Sequence, residues 1–157
     1  MTTTETVSIA LEAPDQADAI ALIAELDDYQ HSLYPAESVY ALDLSGVPQQ
    51  RLLFAVARTM DGNAVGCCAV VLDDASGDLK RMYVRPGHRG LGIAYKLLAL
   101  LESHATTAGC RLLQLETGPL QQEALALYAR CGYQRRGPYG GYADDPLSVF
   151  MEKALAA

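Results

Sequence analysis

Arg89-Gly90-Leu91-Gly92-Ile93-Ala94 stands where an apolar strand pattern gives way to an amphipathic helix pattern. That order builds an anion site. The first N–H groups of a helix have no partner within it, and the aligned peptide dipoles add partial positive charge there. Gly90 and Gly92 put no side chain in front of those amides, so a phosphate can approach the backbone closely. Arg89 and His88 add charge beside them. The chemistry indicated is the binding of a phosphate-bearing ligand, most simply a pyrophosphate. A dinucleotide fingerprint does not fit. It needs G-x-G-x-x-G, and the place of its third glycine is taken by Tyr95.

Other residues could do chemistry beside such a ligand. Glu116 sits between apolar residues in Leu-Leu-Gln-Leu-Glu-Thr. A carboxylate in that setting is expected to be partly buried, with a raised pKa, and suits a general base or a hydrogen-bonded structural group. Asp78 follows Gly77 and reads as a hairpin residue. His31 and His88 are further titratable candidates. On spacing alone, Tyr128 is a core aromatic on a helix. Tyr34 and Glu37, with Tyr29, lie in an irregular early region. Tyr139 and Tyr142 flank Gly140-Gly141 in a late loop that ends in Asp144-Asp145. Aromatic faces combined with carboxylates suit an ammonium-bearing ligand, and an ordinary hairpin with solvated aspartates is the alternative.

The elements that must position these residues follow from periodicity. Thr6–Leu11 alternates as a first strand. A helix starts after Pro14-Asp15, with Ala17, Ile20, Ala21 and Ala24 on one face, and a short second helix is predicted near 36–44. Strands are predicted at Leu52–Arg58, Ala64–Leu72 and Asp78–Val84, separated by an Asp61-Gly62 turn and an Asp73–Gly77 turn. Their nearly unbroken apolar character predicts cover on both faces. A helix from about Gly90 to Ala108 carries Leu91, Ala94, Leu97, Leu98, Leu101 and Ala105 on one side, and Gly109 ends it. Arg111–Thr117 is a strand, and the strand–helix–strand order makes it parallel to the one before the glycine loop. Gln121–Arg130 is a helix stopped at Gly132. Tyr133–Arg136 and Leu147–Lys153 form a closing pair of strands.

Composition bounds the rest. The 157 residues suit a single domain, 1–157, with one core. No apolar run approaches the roughly 20 residues of a membrane span, and the first residues lack a secretory pattern, so a cytoplasmic protein is expected. Cys67, Cys68, Cys110 and Cys131 sit in apolar patterns without Cys-x-x-Cys spacing and read as reduced thiols, with neither disulfide nor metal. A net charge of −7 argues against nucleic acid as a partner.

Arg89-Gly90-Leu91-Gly92-Ile93-Ala94, with the strand Leu79–Val84 before it, resembles motif A of the GNAT (Gcn5-related N-acetyltransferase) superfamily. Ala94 stands where the family often has a third glycine. Gln121, Ala124, Leu127, Tyr128, Gly132 and Tyr133 resemble its motif B, with glutamine at 121 where asparagine is frequent. The resemblance covers residues 50–135 well. It implies an α+β fold: a central mixed, mostly antiparallel sheet of about seven strands, flanked by four helices and splayed between the two parallel middle strands. It implies acetyl-coenzyme A as co-substrate and direct attack by an amine, with a small-molecule or amino-acid-like acceptor expected ahead of a protein lysine. A non-catalytic acyl-coenzyme A sensor would keep the same loop. Met82, Tyr83, Val84, Arg89, Gly90, Leu91, Gly92, Ile93, Ala94, Gln121 and Tyr128 are the implied cofactor contacts. Tyr128 is implied as general acid; a phenol, with a reference pKa near ~10, is a donor at neutral pH. Asp78 matches the position where some members carry a glutamate base, and Glu116 is its rival. Tyr34, Glu37, Tyr139 and Tyr142 are the expected acceptor contacts. A monomer or homodimer that binds no membrane completes the expectation.

Overall fold

Seven strands form one sheet in the order β1-β2-β3-β4-β5-β7-β6. The structure is a computed structural model that describes residues 6–38, 43–140 and 142–155. The strands are β1 Val7–Leu11, β2 Leu52–Thr59, β3 Ala64–Asp73, β4 Ser76–Val84, β5 Leu112–Thr117, β6 Gln134–Arg136 and β7 Val149–Ala154. Three α-helices accompany them: α1 Ala17–Leu33, α2 Ile93–Thr107 and α3 Gln122–Arg130. Every neighbouring pair is antiparallel except β4 with β5, which is parallel as the crossover rule requires. Among the described residues, no helix is long and apolar enough to cross a membrane.

Both faces of the sheet are covered, as the apolar strands predicted. One face packs Ala55, Val70, Leu79 and Leu115 against Ile93, Leu97, Leu98 and Leu101 of α2 and Tyr128 of α3. The other packs Phe54, Val56, Cys67 and Tyr83 against Ala19, Leu22 and Leu26 of α1. Leu97, Leu98 and Leu101 are essentially fully buried. Burial of each contributes about 1.5–3 kcal/mol.

Two features of β4 shape the centre of the molecule. The β4–β5 register runs only from Ser76↔Leu112 to Leu79↔Leu115. Beyond that point the strands part, while β4 continues to Val84 and β5 to Thr117. The second feature is a β-bulge. Cys67 pairs with Tyr83 and Ala69 with Lys80, so β4 holds one residue more than β3 there, and Arg81 takes φ +62°. Bulges re-aim side chains and break regular pairing, and this one lies beside the parting of the strands.

Four expectations are corrected. Only three α-helices occur among the described residues. The second helix predicted near 36–44 is replaced by one-turn 3₁₀ segments at Ala36–Ser38 and Leu44–Gly46, and residues 39–42 lie outside the described residues. The Asp73–Gly77 turn shrinks to Asp74 and Ala75, because Gly77 is a strand residue. A Cβ there would stand 3.0 Å from both Leu113 and Val70, so glycine serves close packing. Helix α2 starts at Ile93 and not at Gly90. Gly90 and Gly92 take φ +80° and +78°, which a right-handed helix does not admit, and Leu91 between them is exposed instead of joining the buried face.

Candidate active site

Two adjoining spaces open where β4 and β5 part. The larger is a groove of about 1100 Å³ between the start of α2 and α3. Met82, Val84, Arg89, Gly90, Gly92 and Ala94 line one side; Gln121, Ala124, Leu127 and Cys131 line the other. The smaller is a chamber of about 70 Å³ lined by Tyr34, Lys80, Arg81, Glu116, Gln121 and Tyr128, among others. Leu26, Met82 and Gln121 border both.

The groove's basic end is built by the loop between β4 and α2. Pro86-Gly87-His88 forms one 3₁₀ turn, and Gly90 and Gly92 then swing the chain into α2. A Cβ built on either glycine would meet nothing within 4 Å, so the space in front of the first α2 amides is open. Arg89 is held there. Its Nε donates to the Val84 carbonyl at 2.9 Å, and its guanidinium lies 5.7 Å from the Tyr29 ring and 5.9 Å from the Tyr83 ring. Arg85 pairs with Glu25 of α1 at 2.8 Å, and the Tyr83 hydroxyl donates to the same carboxylate at 3.2 Å. These contacts fix the end of β4 against α1. The Arg85 guanidinium holds the Glu25 carboxyl below its ordinary pKa.

Tyr128 is held from two sides. Helix α3 ends in a Schellman turn: the Tyr133 N–H donates to the Tyr128 carbonyl at 2.9 Å and the Gly132 N–H to the Ala129 carbonyl at 3.1 Å. Gly132 supplies the required φ of +95°. The Tyr133 ring then meets the Tyr128 ring edge-on, with centroids 5.7 Å apart. The Tyr128 hydroxyl makes no hydrogen bond to any described residue, and its side chain lines the chamber. Burial raises its pKa, followed in effect by the nearby Cys68 and Cys131. The group is therefore a neutral proton donor.

The two carboxyl candidates separate in space. Glu116 lies beyond the last β4–β5 pair and lines the chamber. Burial raises its pKa, while the Ser148 hydroxyl and the Lys80 ammonium act in the opposite direction. Asp78 is paired with Gln114 inside the closed part of the β4–β5 ladder and borders neither space. The shortened β3–β4 turn draws it into the strand. Burial raises its pKa too, with Lys80 opposing.

The expected acceptor contacts divide in the same way. Tyr34 lines the chamber, but its hydroxyl is engaged. It accepts from the Leu120 N–H at 3.0 Å, and its ring lies over Gly118 so closely that a Cβ there would be 1.9 Å from the phenol oxygen. The cause is local. Pro35 forces the preceding residue out of helical geometry, so Tyr34 ends α1 at φ −132°, ψ 150°. Glu37 is exposed on the Ala36–Ser38 turn and borders neither space. Tyr139 and Tyr142 pack edge-on with Phe150 and also border neither. Both rings are already engaged by the protein's own cations: Lys80 donates to the Tyr142 hydroxyl, and the Arg136 guanidinium lies 5.3 Å from the Tyr139 centroid. Gly141 lies outside the described residues.

Of the implied cofactor contacts, Leu91 alone borders neither space, and the residue is 43% exposed. Ile93 turns its side chain into the core. Gln121 uses its side-chain carbonyl within its own loop, accepting from the Gly118 N–H at 3.2 Å and the Thr117 hydroxyl at 3.3 Å. The buried thiols of Cys67 and Cys68 are pushed up in pKa, Cys67 to about 12, chiefly by burial. Among the described residues no group of His, Cys, Asp and Glu could hold a metal ion. Sequence reasoning missed Lys80, Arg81 and Ser148. The first two look like ordinary polar strand residues, and only the bulge sets them together at the chamber.

A splayed mixed sheet with a glycine-bounded helix start at its gap defines an acyl-transfer architecture, and the comparisons with known proteins agree. The acetyltransferase (GNAT) family profile matches residues 17–133. A relative named IAA acetyltransferase, from Azospirillum brasilense, is 46% identical over 151 residues, covering 95% of this chain and 98% of its own. A crystal structure from Klebsiella pneumoniae, named for acyl-CoA N-acyl transfer, superposes with a TM-score of 0.87 at 46% identity, covering 96% of this chain and 98% of that one. The Thermoplasma acidophilum PaiA N-acetyltransferase, in complex with coenzyme A, shares the fold at a TM-score of 0.71 and 16% identity, covering 95% and 99%. The chain belongs to the GNAT acetyltransferase family, and its enzyme class is acyltransferase.

Proposed function

We propose that the protein transfers an acetyl group from acetyl-coenzyme A to the amine of a small molecule, by direct attack. The single observation that carries this reading is that the two spaces adjoin, sharing Leu26, Met82 and Gln121. The groove begins at the open amides of the Gly92–Ala94 turn, and the chamber beside it is lined by Tyr128 and Glu116.

The pyrophosphate would lie against the start of α2, where unpaired amides and the helix dipole favour negative charge, with Arg89 beside it. The remaining length would follow the Met82–Val84 edge of β4 toward the chamber. Glu116, with its raised pKa, accepts the proton of the attacking ammonium. The amine nitrogen bonds to the acyl carbon, the carbon–sulfur bond breaks, the Tyr128 hydroxyl gives its proton to the departing sulfur, and the second proton shed by the nitrogen as the amide forms restores the phenol. Asp78 takes no part, because it borders neither space. The chamber also bears on the acceptor's size. At about 70 Å³ it is well below the roughly 150 Å³ that accommodates benzene, which favours a small acceptor group.

The test is Tyr128→Phe, followed by thiol release with acetyl-coenzyme A and by calorimetric titration with coenzyme A. A general acid contributes about 10²–10⁴-fold, so kcat falls by that order while coenzyme A affinity is kept. Unchanged turnover would remove Tyr128 from the reaction.

A further inference from the structure

We infer that Tyr133, anchored by Glu102 and Lys153, is the positioning residue for Tyr128 and sets where the Tyr128 hydroxyl stands in the chamber; this rests on the proton-donor reading of Tyr128 above.

The Tyr128 hydroxyl has no tether of its own. It makes no hydrogen bond to any described residue, so its place is set by whatever holds its ring and its helix. Helix α3 is a weak holder by itself. It has nine residues, fewer than the roughly 12–15 at which an isolated helix is only marginal in water. Among the described residues of α3, Tyr128 alone is buried. The restraint has to come from the end of the helix, and Tyr133 stands there.

Tyr133 is fastened to Tyr128 twice. Its N–H donates to the Tyr128 carbonyl at 2.9 Å, and its ring meets the Tyr128 ring edge-on with centroids 5.7 Å apart. The far end of Tyr133 is fastened as well. Its hydroxyl donates to Glu102 Oε2 at 2.9 Å, and Lys153 Nζ donates to Oε1 of the same carboxylate at 2.8 Å. That ammonium also lies 5.7 Å from the Tyr133 ring centroid. Glu102 belongs to α2 and Lys153 to β7, whose neighbouring Leu98, Leu101, Ala105 and Met151 are buried in the core. One hydrogen-bonded group therefore ties the end of α3 to the two elements that do not move with it.

Packing alone does not call for this chemistry. Tyr133 is only 3% exposed, and a phenylalanine ring would fill the same space. A buried hydroxyl costs free energy unless it is paired, and here a carboxylate pairs it while an ammonium pairs the carboxylate. Burial, and then the Glu102 carboxylate, raise the Tyr133 pKa, so the phenol stays the donor of that bond. Tyr133, Glu102 and Lys153 border neither space, so the group reaches the reaction only through Tyr128.

The experiment is a double-mutant cycle. Tyr133→Phe keeps the ring and removes the anchor; Glu102→Ala removes the same bond from the α2 side, with a good helix former. Each is measured alone and combined with Tyr128→Phe. Thiol release gives kcat and KM, calorimetry gives coenzyme A affinity, and thermal melts report folding. Misplacing a catalytic group by about 1 Å costs up to roughly 100-fold, so a loosened phenol should lower kcat roughly 10-fold in both single variants, with KM and coenzyme A affinity kept. In the Tyr128→Phe background the same changes should leave kcat where Tyr128→Phe alone puts it, because there is no donor left to aim. A merely structural role would lower kcat equally in both backgrounds. That result, wild-type kcat in either single variant, or a loss of coenzyme A affinity in place of kcat would overturn the inference while leaving the loss in Tyr128→Phe intact. Unchanged turnover in Tyr128→Phe itself would refute the proton-donor reading, and this inference with it.

Discussion

Replacing Gly92 with alanine separates backbone strain from ligand binding. Gly92 precedes α2 at φ +78°, and a Cβ there would touch nothing within 4 Å. The cost to the fold is therefore conformational alone. A non-glycine residue in the left-handed region costs about 1–2 kcal/mol, and each kcal/mol moves the melting temperature of a chain of this length by about 2–4 °C. The added methyl also stands before the α2 amides. Loss of one charge-assisted hydrogen bond to a pyrophosphate, at about 1.5–3 kcal/mol, weakens binding roughly 10- to 100-fold. Gly62 provides the control. It takes φ +85° in the β2–β3 turn, its Cβ position is equally open, and it borders neither space. Gly62→Ala and Gly92→Ala should lose similar stability in ligand-free thermal melts. Only Gly92→Ala should weaken coenzyme A in calorimetry. Coenzyme A bound as tightly by Gly92→Ala as by wild type, or weakened equally by Gly62→Ala, would refute the assignment of the phosphate site.

Three further outcomes follow from the site. Tyr34→Phe strips the acceptor from the Leu120 N–H and should cost about 1–2 kcal/mol in chemical denaturation, while raising KM because the loop carrying Gln121 loosens; Gly118→Ala, forced against the Tyr34 ring, should cost about 1–3 kcal/mol. Glu116 has a raised pKa, so its contribution to stability is full below the ordinary carboxylate pKa and is lost as pH rises through the folded value. Glu116→Gln should therefore gain melting temperature relative to wild type between pH 4 and pH 7, while its turnover at pH 7 falls.

The parts legible in the sequence are those governed by neighbours along the chain. The glycine loop, the parallel strand–helix–strand unit and the Gly132 stop of α3 each depend on residues within one or two turns, and all were read close to where they lie. Spacing alone read Tyr128 as a core aromatic; the resemblance to the family motif singled it out, and Tyr128 and Glu116 both line the chamber. The parts not legible depend on distant partners. Tyr34, an expected acceptor contact, lines the chamber, but the anchoring of its hydroxyl by Leu120, 86 residues further on, gives no local signal. Asp78 looked like a strand-leading residue until Gly77 proved to be packed between Leu113 and Val70. Glu37 was grouped with nearby tyrosines by sequence alone, and folding leaves it on the surface. The bulge at Arg81 gives no local signal, since an arginine at positive φ is disfavoured by its own sterics and is held there by its surroundings. Hence the placement of Lys80 and Arg81 at the chamber emerged only from the fold.

The central claim is that the amides at the head of α2 bind the diphosphate of coenzyme A. The most direct measurement is an amide nitrogen–proton NMR titration of the labelled protein with coenzyme A. The account predicts saturable shifts that are largest for the N–H groups of Arg89 through Ala94, with smaller ones along Met82–Val84 and Gln121–Ala124. Saturation with the largest shifts elsewhere, or no shift at millimolar coenzyme A, would contradict it.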